Sequence, residues 1–135
     1  MSEDDFAARL AAAVPTGDAA TAGYAEVLGR LRSTAEVITR ELGAGDLLLR
    51  IEPGFQANIG QQLSMVTVIP SRNYRDVLFR AYVPVEGYPV QLDLFGEELV
   101  PCGSLKELDE QVLKFVQRPE VQARLAMLAD IARSA

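Results

Sequence analysis

The sequence predicts an α+β domain: a four-stranded antiparallel meander flanked by N-terminal and C-terminal helices, covered on one face. Three observations lead there. Apolar residues recur at three- and four-residue steps toward both ends of the chain. Between them lie short runs rich in Leu, Val, Ile and aromatics, each bounded by Gly, Pro, Asn or Ser. The connections between those runs are too short for crossover helices, which leaves an antiparallel sheet, and the flanking helices are the only cover for it. At 135 residues, 49% of them hydrophobic, the chain has the length of one domain with one core. We place that domain over 1–135, with the helix in 1–17 at its periphery.

Each element has its own signal. Ser2 and Asp5 have capping-box spacing, and Phe6, Leu10 and Val14 follow at helical intervals until Pro15. Asp18 is placed to cap a longer helix, whose stripe is Tyr24, Val27, Leu28, Leu31, Ala35, Ile38 and Leu42. Gly43 and Gly45 end it. Strands are expected over 47–52, 63–69, 77–83 and 90–95, with a turn from Pro84 to Pro89 joining the last two. Ser104 and Glu107 form a second capping box ahead of Leu105, Leu108, Val112, Phe115 and Val116. Pro119 suits the first turn of a final helix carrying Val121, Leu125, Leu128 and Ile131.

Composition narrows the chemistry. The absence of His excludes Ser-His-Asp and Cys-His triads, histidine metal ligands and imidazole acid–base catalysis. A single Cys excludes an internal disulfide and a cysteine-cluster zinc site. The net charge of −6 opposes broad nucleic-acid binding and anionic lipid surfaces. No stretch reaches the roughly 18 apolar residues of a membrane span, and the acidic start is unlike a secretory signal. These features imply a cytoplasmic protein without cofactor or metal, whose partner is another protein, with a homodimer left open.

The stretch 65–95, MVTVIPSRNYRDVLFRAYVPVEGYPVQLDLF, resembles the meander of the ubiquitin-conjugating-enzyme fold and its RWD relatives. Tyr74, the run 78–83, Pro84 and the pair Tyr88-Pro89 fall in the order those domains show, and 105–119 resembles their helix ending in Pro. The resemblance implies helix, four antiparallel strands, then C-terminal helices. The departures matter as much. Conjugating enzymes carry a His-Pro-Asn segment and then the thioester cysteine after the fourth strand, whereas only eight residues here separate Phe95 from Ser104. The second proline that follows Tyr-Pro in the family is replaced by Val90-Gln91-Leu92. The chain therefore sits nearer RWD domains and the inactive conjugating-enzyme variants, which are partner-binding modules.

Few residues offer chemistry. Cys102 lies just before a helix N-terminus, where the macrodipole lowers a thiol pKa. Without His nearby, the competing reading is a small buried hydrophobe. Arg72, Asn73, Tyr74, Arg75 and Arg80 form the locally basic, aromatic-containing cluster, suited to an acidic partner or a phosphate, or else paired with the chain's own acids. Phe55 and Ile59 are expected on a Gly-flanked loop, as a contact surface or a lid over the sheet edge. The acids Glu97, Glu98, Glu107, Asp109 and Glu110 are sequence neighbours near a helix start and read as solvated surface. Gly43-Ala44-Gly45 precedes a strand, the wrong context for a phosphate loop.

The leading expectation is a non-catalytic protein-interaction domain acting as adaptor or subunit, using Arg72, Tyr74, Arg75, Arg80 and Phe55. One alternative is a reduced conjugating enzyme carrying a ubiquitin-like modifier on Cys102. The other is a small acidic immunity protein or secretion chaperone that masks a basic partner.

Overall fold

The structure, a computed structural model, describes residues 3–13, 18–56, 60–96 and 98–134. Helices α1 (Glu3–Ala13) and α2 (Asp18–Leu42) lead into strands β1 (Leu48–Gln56), β2 (Gly60–Ile69), β3 (Tyr74–Val83), β4 (Val90–Asp93) and β5 (Val100–Cys102). Helices α3 (Leu105–Val116) and α4 (Pro119–Arg133) follow. The strands lie side by side in chain order, every neighbouring pair antiparallel, so the sheet is a meander. It has five strands where the sequence predicts four. The extra one is the three-residue β5, whose Pro101 marks it as a loop in sequence. Proline is tolerated there because β5 is the edge strand.

β1 is the other edge, and it also runs longer than expected. The segment read as a loop from Pro53 onward continues the strand, with Pro53 opposite Leu63 and Phe55 opposite Gln61. Leu49 donates its N–H to the Thr39 hydroxyl of α2 at 2.8 Å, so its backbone faces away from β2. Two and four residues on, Ile51 and Pro53 face the same free edge, and Pro53 has no N–H to leave unpaired there. Ser2, Val14, Pro15, Ile59 and Glu97 lie outside the described residues, so the first capping box and the Ile59 reading do as well.

The core sits between one sheet face and the helices. Leu49, Leu63, Met65, Phe79, Ala81, Val83, Val90 and Leu92 pack with Val27, Leu31 and Ala35 of α2, Leu108, Val112 and Phe115 of α3, and Val121 and Leu125 of α4. Phe79 meets Phe115 edge to face, centroids 5.6 Å apart. A smaller cluster of Ala44, Leu47, Ile69, Leu128 and Ala129 closes one end. There Arg133 of α4 donates to the Leu42 carbonyl at the C-terminus of α2, and Arg124 pairs with Asp76 at the start of β3. Gly43, at a φ of 49°, donates to Thr39 as α2 ends. Helix α1 buries none of its residues.

One irregularity shapes the sheet. Met65 pairs with Phe79 but Val66 pairs with Val77, leaving Leu78 as an extra residue in β3. Leu78 and Phe79 are consecutive and both fully buried, which plain alternation forbids.

Candidate protein-interaction face

The register reads out the residues of the sheet face that the helices leave open. Residues directly opposite one another share a face. One row is Glu52, Ser64, Arg80 and Asp93; the next is Gly54, Gln62, Tyr82, Gln91 and Pro101. Further along lie Arg50, Val66 and Val77, then Leu48, Val68 and Arg75. Polar and charged side chains dominate the first two rows, as expected of a face turned to water, whereas the other two are mostly apolar and bury Val66 and Val68.

Charge organises the face. Glu52 accepts from Arg50 at 3.0 Å and from the Arg75 guanidinium, which reaches across β2 to it. The hydrogen bond from Arg75, with help from Arg50, holds the Glu52 carboxyl below its ordinary range, and Glu52 in turn raises Arg75. In the row of Arg50 and Val77, Val66 is fully buried. Toward β4, the Arg80 guanidinium lies 5.6 Å from the centroid of the Phe95 ring. Phe95 is 52% exposed and held at a φ of 59°, its N–H bonded to the Asp93 carboxylate at 2.9 Å. The result is a cation stacked on an open aromatic plate, beside half-buried Tyr82.

The cluster read from sequence therefore divides. Arg75 and Arg80 share the open face, whereas Tyr74 and Arg72 leave it. Tyr74, opposite Ile69, packs on the smaller cluster, with its hydroxyl 3.4 Å from an Asp76 oxygen. Arg72 donates to the Ser134 carbonyl and hydroxyl beyond α4. Between them Asn73 takes a left-handed φ of 52° after the 3-10 turn Pro70–Arg72, and Asp46 caps that turn through Ser71. Ser71 N–H holds the Asp46 carboxyl below its ordinary value. Phe55 lies on β1 rather than a loop, and its side chain is outside the described residues. Sequence reasoning misses Arg50, Glu52, Tyr82 and Phe95. The signal for the first two is present, since Arg50 and Glu52 alternate with apolar Leu49 and Ile51 in an expected strand.

Cys102 belongs to the core. On β5 it pairs with Val90 of β4 and is 0% exposed, its Sγ 3.9 Å from the Val100 carbonyl. Burial, reinforced by the negative charge of Glu107, pushes its thiol up to about 11, the opposite of the lowering expected from a helix N-terminus. The N-terminus of α3 is already served. Ser104 accepts from Glu107 N–H at 3.2 Å, and the Glu107 carboxylate accepts from Gly103 N–H at 2.6 Å. Among the other acids, Asp109 pairs with Arg30 at 3.2 Å. Tyr88, just before β4, donates its hydroxyl to Glu26 at 2.5 Å, and burial with that bond raises its pKa.

No helix among the described residues is long and apolar enough to cross a membrane. Comparison with protein-family models, curated proteins and solved structures finds no match for this chain.

Proposed function

We propose that the chain is a non-catalytic protein-interaction domain, an adaptor or subunit of a larger assembly, with the open sheet face as its contact surface. The observation that carries this reading is the pairing of Arg80 with exposed Phe95 beside Tyr82, on a face the helices leave free. Arginine and aromatic side chains dominate binding energy at protein interfaces. Three arginines against Glu52 and Asp93 make the face suited to a partner with exposed carboxylates, and a basic partner is less well matched. Core-seated Cys102 offers no surface thiolate for a thioester.

The architecture supports an RWD-like or inactive conjugating-enzyme-like domain. A long helix precedes an antiparallel meander, Tyr88-Pro89 directly precedes β4, and two helices close the chain. A lone unbridged thiol suits a reducing compartment such as the cytoplasm.

The test is affinity capture from native lysate, followed by titration of the captured protein, once purified, against wild type, Arg80→Glu and Tyr82→Ala. Loss of a single hot-spot contact is expected to weaken binding roughly tenfold or more. A partner bound equally by all three forms overturns the assignment to this face.

A further inference from the structure

The open face holds one arginine that nothing on it neutralises. Of its three arginines, Arg50 and Arg75 both pair with Glu52. Arg80 makes no hydrogen bond and no ion pair among the described residues, and lies instead over the Phe95 ring. Both acids of its row are engaged elsewhere, Glu52 by the other two arginines and Asp93 by the Phe95 N–H at 2.9 Å. A guanidinium over a ring keeps its five N–H donors at its planar edge, so the fork stays available while the ring limits where it points.

The ring itself is held out for contact. Phe95 is exposed at a left-handed φ of 59°, a conformation that bulky side chains rarely adopt. Arg118 lies over Phe115 at a similar 5.4 Å, but that ring is buried in the core. At Phe95 the same arrangement is open to water. The next row of the face supplies Gln62, Tyr82 and Gln91, whose amides and hydroxyl suit the polar backbone of a peptide, and it carries no acid. Arg80 and Tyr82 are two residues apart on β3, about 7 Å, the repeat at which an extended peptide presents side chains to one side.

We propose that Arg80, oriented by Phe95, is the docking point for one acidic side chain of the partner. The partner segment is an extended acidic peptide, and its Asp or Glu carboxylate takes two parallel N–H bonds from the guanidinium fork. This inference rests on the open face being the contact surface, and narrows it to one cation and one carboxylate.

The probe is a blocked pentapeptide with one central glutamate among glycines, and its glutamine counterpart is the control. Titrated into the full chain labelled with 15N, the glutamate peptide should shift the Arg80 Nε–Hε signal saturably, and the glutamine peptide should not. Arg80→Lys keeps the charge without the fork, and Phe95→Leu keeps an apolar side chain without the ring. Circular dichroism checks that both variants fold, and backbone amide shifts in β3 and β4 follow binding in them. Arg80→Lys should weaken the glutamate peptide about tenfold, and Phe95→Leu severalfold. An equal response to the glutamine peptide, or Arg80→Lys binding as wild type does, overturns the proposal. So does inorganic phosphate shifting Arg80 at lower concentration than the peptide, which would assign the fork to a phosphate. If the peptide arm fails while a captured partner is still lost on Arg80→Glu and Tyr82→Ala, the open face stands and only the carboxylate contact falls.

Discussion

Helix α2 contains two interior glycines that should respond differently to the same substitution. A Cβ on Gly29 meets nothing within 4 Å. Gly29→Ala should therefore stabilise the protein by about 1 kcal/mol, the helix-propensity difference alone. A Cβ on Gly23 would sit 2.7 Å from the Gly87 Cα and 2.9 Å from the Glu86 carbonyl oxygen. These are backbone atoms of the β3–β4 turn and cannot rotate aside. Overpacking of this kind costs ~1–3 kcal/mol. Set against the same propensity gain, Gly23→Ala should give no net stabilisation and should destabilise by up to about 2 kcal/mol. The turn has no easy retreat, because Gly87 holds a φ of 93° and its N–H is bonded to the Pro84 carbonyl at 2.8 Å. Urea unfolding followed by circular dichroism measures both variants, and their stabilities should differ by ~1–3 kcal/mol, the overpacking cost itself. In thermal melts the Gly29→Ala midpoint should lie above wild type and the Gly23→Ala midpoint at or below it. If Gly23→Ala stabilises as much as Gly29→Ala, the turn is not seated on the helix. The inferred placement of Tyr88 and β4 then fails with it.

Two further outcomes follow from the same geometry. The Cys102 thiol should resist an aromatic disulfide reagent in the folded protein at about pH 8, and one thiol per chain should react once denaturant is added. Stoichiometric labelling of the folded protein would place that residue at the surface instead. Glu52 and Asp46 have folded pKa values below their ordinary 4.5 and 3.8, so each binds its proton more readily in the unfolded chain. Their contribution is present above those unfolded values and is lost as pH falls through the folded ones. Urea midpoints should therefore drop below about pH 4.5. Glu52→Gln should flatten part of that fall, and an unchanged slope would show that the Arg75 bridge contributes nothing.

How much of this is legible in the sequence depends on the length scale of the signal. Helices α2, α3 and α4 are plain because their stripes repeat over several turns, although α4 turns Ala129 and Ala132 inward in its last turns and leaves the expected Ile131 39% exposed. The strands at the sheet edges are not. β5 has three residues and a proline, and the second half of β1 holds Pro53 and Gly54, residues that signal a loop wherever the strand's position in the sheet is unknown. Edge position, a tertiary fact, is what makes them acceptable.

The candidate site shows the same limit more sharply. Arg75 and Arg80 are five residues apart, an odd step, and simple alternation sends them to opposite faces of β3. The extra residue at Leu78 restores the phase, so both arginines reach the open face while Leu78 and Phe79 enter the core together. Arg75 then bridges to Glu52 over β2, and Arg80 stacks on Phe95 near β4. The face is thus assembled by one inserted residue. Within β3 its trace is the unbroken apolar run Val77-Leu78-Phe79, which reads equally well as a strand buried on both sides. Only the pairing partner distinguishes the two: Val66 takes Val77 and Met65 takes Phe79, and that choice lies in β2, more than ten residues away.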